Sequence, residues 1–364
     1  MLKTLLRDRL LLVLLVLCIL VKLFSLRADW VERYYTHGFY PYFSSTLRFL
    51  LGWIPVSVGD LLYVGAFIYL VVKTWKYLRI LAKRQVKEYL SWVLLRKFVR
   101  LVLWIYLVFN ISWGLNYNRQ GIARQLQLDV KRYDKKELFE LTSLLQQKLN
   151  ESAALVDTVK RTEWQQNAKL FRQGKRDFDL AARQYPFLDY HIPSIKASLF
   201  SSVGHYFGFS GYFNPFSGEA HLNTAEPVFV KPFVLNHEIA HQLGYGKENE
   251  ASFVSFLAGK NSDQVDFRYS LYYELYFNAF REVVITRDSI AIRSYSKNLH
   301  PRAQRDRAAE ISFRSKRKNR MQPLVTDFYD GYLKMNDQPG GITTYNEVTS
   351  WLIAYMKKYG AEAL

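Results

Sequence analysis

Residues 232–244 read Pro232-Phe-Val-Leu-Asn-His237-Glu238-Ile239-Ala240-His241-Gln-Leu-Gly244. The stretch contains the pattern H-E-x-x-H, which on a helix places His237 and His241 one turn apart on the same face. Two imidazoles so placed can bind one zinc ion, and Glu238 then points toward a water on the metal. Pro232 suits the first turn of a helix and Gly244 suits the position after its end, so a helix is predicted between them.

The same pattern also has a purely structural interpretation, in which the two histidines make ordinary polar contacts and bind no metal. Histidine is scarce in this chain, with seven in 364 residues. A chance H-E-x-x-H with suitable helix boundaries on both sides is therefore uncommon, and the sequence favours a zinc site.

Composition and charge narrow the class of protein. Aromatic residues make up 16% of the chain, which argues against disorder, and the single cysteine, Cys18, excludes an intramolecular disulfide and a cysteine metal cluster. The net charge is +18, and residues 1–119 account for +12 of it, with 17 Lys and Arg against 5 Asp and Glu. Because this excess surrounds apolar segments, it indicates membrane topology and contact with membrane lipids; no nucleic acid partner is expected.

The first part of the chain has the pattern of a membrane domain. Three apolar runs predict transmembrane helices at about 10–26, 54–72 and 98–115. No small-residue cleavage site follows the first run, which favours a retained helix over a signal peptide. Asp60 is predicted to cap the start of the second helix. The basic N-terminus and the basic residues 73–97 are expected in the cytoplasm, which places residue 116 onward on the extracytoplasmic, periplasmic side of the inner membrane.

Residues 120–364 are predicted to form one folded domain after the membrane domain of residues 1–119. Asp134 and Glu137 form a capping-box pattern before leucines at helical spacing, so a helix is expected from about 135 to 158. The fold class is mainly α with a small β-sheet. Strands are predicted at 195–200, 208–213 and 219–223, the last two as a hairpin, and helices at 158–184, 247–259, 264–286, 302–318, 329–334 and 346–359.

A catalytic zinc needs a third protein ligand. The glycines after the first motif allow a sharp reversal into a second helix, whose first turn carries Glu248 and Glu250. Glu250 precedes Ala251 on the apolar side of this helix and is the favoured ligand. Glu248 remains the alternative, or supports the site from the helix N-terminus.

Five motifs together resemble a known group of proteins: Trp113-Gly-Leu-Asn-Tyr-Asn-Arg119, Gly211-Tyr-Phe-Asn-Pro-Phe-Ser-Gly-Glu219, His237 to Gly244, Glu248-Asn-Glu-Ala251 and Gly341-Ile-Thr-Thr-Tyr345. The chain resembles an uncharacterised bacterial family of membrane-anchored, zincin-like proteins. The H-E-x-x-H with a glutamate on the next helix is similar to the gluzincin group of zinc metallopeptidases. Ser252 stands where the family pattern leads us to expect asparagine.

The resemblance implies a membrane-anchored zinc metallopeptidase acting on a protein or peptide substrate. In that scheme His237, His241 and Glu250 hold Zn²⁺ and Glu238 is the general base. Tyr345 is the first choice for stabilising the oxyanion, with Tyr332 and His221 as alternatives. The hairpin of residues 211–223 would present a sheet edge to the substrate.

Three other functions compete with the peptidase. The first is a non-catalytic membrane sensor or scaffold with a zinc-stabilised domain. The second is a proteinase acting inside the bilayer, which the short, charge-flanked motif helix disfavours. The third is a nucleic-acid binder, which the distribution of charge disfavours.

Overall fold

The computed structural model describes residues 8–82, 92–336, 338 and 347–364. Its N-terminal part contains α1 (Arg9–Ser25), a π-helical segment Val31–Phe39, α2 (Tyr40–Leu51), α3 (Val58–Ala82) and α4 (Trp92–Ser112). Then follow α5 (Gly121–Gln125), α6 (Lys135–Leu155), α7 (Asn167–Ala182), β1 (Ile195–Ala197), β2 (Gly211–Asn214) and β3 (Glu219–Leu222). The remaining helices are α8 (Lys231–Gln242), α9 (Glu248–Gly259), α10 (Val265–Ile285), α11 (Ser289–Lys297), α12 (Pro301–Ser315), α13 (Gln322–Met335) and α14 (Val348–Tyr359).

The described strands form one small sheet in the order β1-β3-β2. β2 and β3 are antiparallel, with Gly211 opposite Leu222 and Asn214 opposite Glu219. β1 joins the other side of β3 in parallel. The predicted hairpin is thereby confirmed, and β2 is an edge strand of this sheet. The fold class, mainly helical with a small sheet, is also confirmed.

Helix α8 is the centre of the folded domain. One side of it packs on β2 and β3, and other sides pack on α7, α9 and α10. Its close approach to α7 requires a glycine, because a Cβ on Gly174 would lie 2.6 Å from the Leu235 side chain. Leu235 and Ile239 are fully buried in the main hydrophobic core. The motif histidines are therefore carried by a helix that is packed on several sides.

The prediction of three transmembrane helices is wrong in its count. Among the described residues, one helix, Val58–Arg79, is by itself long and apolar enough to cross a membrane. Arg9–Ser25 qualifies only together with Ala28–Leu51, and this pair is bent by 92°. Trp92–Ser112 includes Arg96, Lys97 and Arg100 and is not among the helices that pass on length and composition. α1 instead packs against α4.

Other helix predictions hold with changed boundaries. The predicted helix at 158–184 is interrupted near Gln166, where an extended residue precedes α7. The predicted strand at 195–200 ends at Ala197, because a helical turn begins at Ser201. The sequence pattern does not predict α11. α13 begins at Gln322, well before the expected residue 329.

The capping box at the start of α6 provides a test of the local folding signal. Asp134 accepts a hydrogen bond from the Glu137 N–H at 2.8 Å, and Glu137 accepts one from the Asp134 N–H at 2.9 Å. Asp134→Ala should therefore lower the free energy of unfolding by about 1 kcal/mol. The expected loss in melting temperature is about 2 °C. Asp129→Ala, which removes an exposed carboxylate, is the matched control and should not change the melting temperature. Equal melting temperatures for the two variants would contradict the prediction.

Candidate metal centre

The local sequence determines where α8 begins and ends. Pro232 lies in its first turn, where a missing N–H leaves no bond unmade. Gly244 follows the helix end with φ +88°, a conformation that favours glycine. Both features agree with the sequence prediction. Within the helix, His237, Glu238 and His241 are all buried.

Three side chains converge to form the candidate metal centre. The Glu248 Oε2 atom lies 3.0 Å from His237 Nε2 and 3.6 Å from His241 Nε2. One ligand atom from each of these residues can be chosen so that all lie within 4.8 Å of one another. Two imidazole nitrogens and a carboxylate oxygen form a donor set typical of catalytic zinc. The residues present therefore fit a metal ion of that class.

The structure places Glu248, and not the favoured Glu250, against the histidines. Two residues apart on a helix, side chains point in directions that differ by about 200°, so only one of the two can face α8. The Glu250 carboxylate instead packs on Gly121, where a Cβ on the glycine would overlap its Oε1 atom. The positive charges of Lys247 and Arg119 also act on the Glu250 carboxylate. Both glutamates are buried, so burial alone does not distinguish the ligand.

The outer nitrogens of both histidines are already engaged. His241 Nδ1 lies 2.7 Å from the carbonyl oxygen of Tyr245. A carbonyl only accepts, so Nδ1 carries a proton, and Nε2 is the nitrogen that could bind a metal once it is deprotonated. His237 Nδ1 lies 3.3 Å from the Ser252 hydroxyl. Ser252, which departs from the expected asparagine, thus supplies a polar partner for the first histidine.

Tyr329 is a site residue that the sequence analysis missed. Its hydroxyl donates a hydrogen bond of 2.8 Å to Glu248 Oε1, which leaves Oε2 directed at the histidines. Tyr329 and Tyr332 are stacked on one face of α13, with ring centroids 6.1 Å apart. The sequence signal for this pair was its spacing of three residues, which puts both rings on one face of a helix. Among the 26 tyrosines of the chain, that spacing does not single the pair out.

Glu238 lies beside the cluster and is not part of it. Its Oε2 atom is buried and makes no hydrogen bond within the described protein. Burial raises the pKa of Glu238 to about 8, although the positive charge on His241 opposes this rise. The neighbouring strand leaves room for the carboxylate only because residue 211 is glycine, since a Cβ there would lie 2.7 Å from Glu238 Oε1. Among the described residues, the Oε2 atom of Glu238 therefore stands without a partner beside the cluster.

The charges of the cluster are strongly coupled. Burial opposes a charge on each group, but the hydrogen bonds from His237 and His241 hold the pKa of Glu248 well below its usual range. Burial likewise disfavours the charged form of His241, yet the hydrogen bond and negative charge of Glu248 raise its pKa to about 9. For His237 burial dominates and lowers the pKa. Glu248 is therefore the anionic centre of the site.

The N-terminal part of the chain holds the end of α8 in place. The carbonyl oxygen of Gln242 accepts hydrogen bonds from Tyr40 at 3.1 Å, Ser44 at 3.2 Å and Arg48 at 3.2 Å. Arg119 donates to the carbonyl oxygen of Gly244 at 3.0 Å. These bonds satisfy carbonyl groups that a helix end leaves without partners.

Behind the second histidine, the motif of residues 113–119 supplies an aromatic support. The Trp113 ring meets the His241 ring edge-on, with centroids 6.0 Å apart. Trp113 also packs against Phe213 of β2, with centroids 4.6 Å apart. The motif therefore limits the rotation of the imidazole that His241 would offer to a metal.

A cleft of about 590 Å³ opens over this centre. His237, Glu238, Gly211 and Tyr329 are among the residues that line it. The lining also includes five charged side chains, those of Glu274, Arg281, Arg307, Glu310 and Arg314. Glu238 and the first residue of the edge strand β2 thus line the same cleft.

The three residues considered for oxyanion stabilisation have different outcomes. Tyr345 lies outside the described residues. The Tyr332 hydroxyl forms a hydrogen bond with the Tyr117 hydroxyl, with 3.1 Å between the oxygens. His221 is fully buried on β3, and its Nε2 atom lies 2.6 Å from the Ser57 hydroxyl.

Fold and site together define a mainly helical protein with a buried His-His-Glu cluster that can hold a metal. The chain matches the family described as "Protein of unknown function (DUF3810)" over residues 35–353, and it belongs to that family. No curated protein and no solved structure matches it. Because the family description names no activity, the similarity to gluzincins stays a prediction.

Metal binding by single variants tests which glutamate is the ligand. Glu248→Gln should weaken Zn²⁺ binding by more than about 100-fold, because it removes a charged ligand. Glu250→Gln, a matched change of an equally buried glutamate, should leave the affinity close to that of the unaltered protein. Competition of the purified full chain with a chromogenic chelator measures both values. The reverse order of affinities would restore Glu250 as the ligand.

Proposed function

We propose that this protein is a membrane-anchored, zinc-dependent peptidase. The observation that carries the proposal is the placement of a free Glu238 carboxylate oxygen beside the His237, His241 and Glu248 cluster, at the end of an open cleft. A purely structural metal site needs neither the cleft nor the carboxylate oxygen without a partner. The combination is typical of hydrolysis with water as the nucleophile.

Each residue of the site has a distinct task. Zn²⁺ held by His237, His241 and Glu248 would supply Lewis acidity that polarises a peptide carbonyl and acidifies water. Glu238 would accept the proton of the attacking water at Oε2 and deliver it to the leaving amine.

The edge strand β2 is the proposed binding platform for the peptide. β2 is paired on one side with β3 and lies along α8 next to Glu238. An extended peptide added to such an edge gains main-chain hydrogen bonds and has its backbone presented to the site. Ser210 and Gly211 line the cleft at this point.

The second candidate function is a zinc-stabilised, non-catalytic sensor or scaffold. The near-complete burial of the cluster favours it, because its three residues are only 4–7% exposed. In that case the metal would contribute to folding and Glu238 would take no part in chemistry. A large loss of melting temperature on chelation, without peptide cleavage by the metal-loaded protein, would support this second function.

Variants of the motif separate the two functions. Glu238→Gln should retain Zn²⁺ and abolish cleavage of a fluorogenic peptide library, because it removes the proton acceptor and no metal ligand. His237→Ala should lose both zinc and cleavage. Glu140→Gln, an exposed change on α6, is the control. Zinc content and peptide turnover are measured on the same preparation of the full chain.

Two results would contradict this proposal. If His237→Ala retained stoichiometric zinc, the metal site would lie elsewhere. If Glu238→Gln cleaved peptides as fast as the unaltered protein, Glu238 would not be the base.

The domain is proposed to lie on the extracytoplasmic side of the inner membrane. The far end of α3 carries Lys73, Lys76 and Arg79, and the positive-inside rule places such an end in the cytoplasm. The start of α3, which is attached to the sheet, then lies on the other side. An alkaline phosphatase fused to residue 364 should therefore be active, and a green fluorescent protein fused there should be dark. The opposite pair of results would reverse the orientation.

A further inference from the structure

A second cavity of about 350 Å³ lies between α3 and the loops that precede β2. Its wall is apolar and is formed largely by the aromatic and aliphatic side chains of Tyr63, Phe200, Val203, Phe207, Phe209 and Tyr212. Among the residues that the structure describes, no charged side chain lines it. The chemistry of this wall selects an apolar ligand.

The cavity shares part of its wall with the cleft over the candidate metal centre. Phe207 and Phe209 line both spaces. The Phe209 ring also meets the ring of Tyr329, which holds Glu248, edge-on with centroids 6.2 Å apart. A ligand in the apolar cavity therefore lies next to whatever occupies the cleft.

Hydrogen bonds fix the cavity to the start of the membrane helix. The Leu199 N–H donates to Asp60 Oδ2 at 2.7 Å, and the Tyr212 hydroxyl donates to Asp60 Oδ1. Asp60 lies in the first turn of α3, and Tyr63 follows one turn later. The cavity is thus at the level where α3 leaves the folded domain and would enter a bilayer. Leu199 and Val203 are about half exposed beside it, as suits a surface in contact with lipid.

We propose that this cavity binds the acyl chain of a lipid-anchored peptide, whose peptide part lies in the cleft. The inference rests on the proposed function and specifies its substrate class. A bilayer phospholipid accounts for the position beside α3 but not for the shared wall with the cleft. The side chain of a soluble peptide accounts for the shared wall but not for the position beside α3. An acyl chain attached to the peptide accounts for both.

Photolabelling of the full chain in phospholipid nanodiscs tests this assignment. The probe is a mixed-sequence heptapeptide with an N-terminal dodecanoyl chain that carries a diazirine at its end. It is used with the Glu238→Gln protein, so that the peptide is not consumed. The expected adducts fall on the cavity wall, chiefly at Val203 and Phe207, and excess unlabelled dodecanoyl peptide should suppress them. The acetylated peptide should compete at least about tenfold less well, because it lacks the methylenes that the wall would bury.

A substitution that fills the cavity supplies the matched control. Gly204 has helical φ −58°, and a Cβ there would meet Asn223 and Phe209 at ordinary distances of 3.5 and 3.8 Å. Gly204→Leu should therefore fold and should reduce the wall adducts by at least about tenfold. Gly331→Leu, in a helix position with open space around it, should leave them unchanged. Val203→Trp fills the cavity from another position and should reduce the Phe207 adducts as Gly204→Leu does, provided that circular dichroism shows that each variant is folded.

Three outcomes would overturn the inference. Adducts spread over the exposed face of α3 would show that the acyl chain of the probe stays in the bilayer. Adducts unaffected by both filling variants would show the same. Equal labelling of the wall by a diazirine phospholipid would show a lipid site without a role in substrate binding.

The readout separates this inference from the proposed function, because labelling needs no hydrolysis. Wall labelling by a protein that cleaves no peptide supports the acyl site and refutes the peptidase. Peptide cleavage without wall labelling refutes the acyl site alone.

Discussion

The position of the Glu248 carboxylate between two buried histidines is the constraint on which the site depends. An isolated buried carboxylate is strongly disfavoured, so Glu248 requires its partners on every side. His237 and His241 face Oε2, Tyr329 donates to Oε1, and the Glu248 N–H donates to the side chain of Gln338 at 3.1 Å. The candidate metal centre is thus assembled from α8, α9 and α13 together. Any change that moves α13 must leave a buried charge incompletely compensated, which explains why a helix distant in sequence belongs to the site.

A second set of contacts ties the site to the N-terminal segment. The bonds from Tyr40, Ser44 and Arg48 to Gln242 join residues that are about 200 positions apart in the chain. The side chain of Gln242 continues the connection by donating to the carbonyl oxygens of Ser194 and Gly218. The predicted boundary at residue 119 follows composition, whereas these contacts cross it. Residues next to the apolar segments therefore determine where the second histidine stands.

Features with a local cause were predictable from the sequence. The boundaries of α8 follow from Pro232 and Gly244, and the start of α6 follows from its capping box, because such signals act within a turn of helix. The choice between Glu248 and Glu250 was not local. It depends on the direction in which the chain reverses after α8, and the apolar-face argument failed because both glutamates are buried.

The count of membrane helices failed for a related reason. The third predicted span began at about residue 98, whereas α4 begins at Trp92 and contains Arg96, Lys97 and Arg100. Arg100 pairs with Asp8 before α1, so this charged region forms ion pairs between two packed helices. Pairing of this kind joins residues some ninety positions apart and leaves no periodic signal in the sequence.

The start of α3 is capped by groups other than the predicted Asp60. The Ser57 hydroxyl accepts a hydrogen bond from the Asp60 N–H at 2.8 Å, and the N–H groups of Val58 and Gly59 donate to the carboxylate of Glu219 on β3. Asp60 in turn accepts bonds from the loop after β1 and from β2. The carboxylates of Asp60 and Glu219 are both fully buried. Because a buried carboxylate without hydrogen-bond partners is costly in free energy, both side chains are held in place. The same β2 strand touches Glu238 through Gly211. A hydrogen-bonded connection therefore sets the distance between α3 and the proposed base, where a flexible linker would leave that distance free.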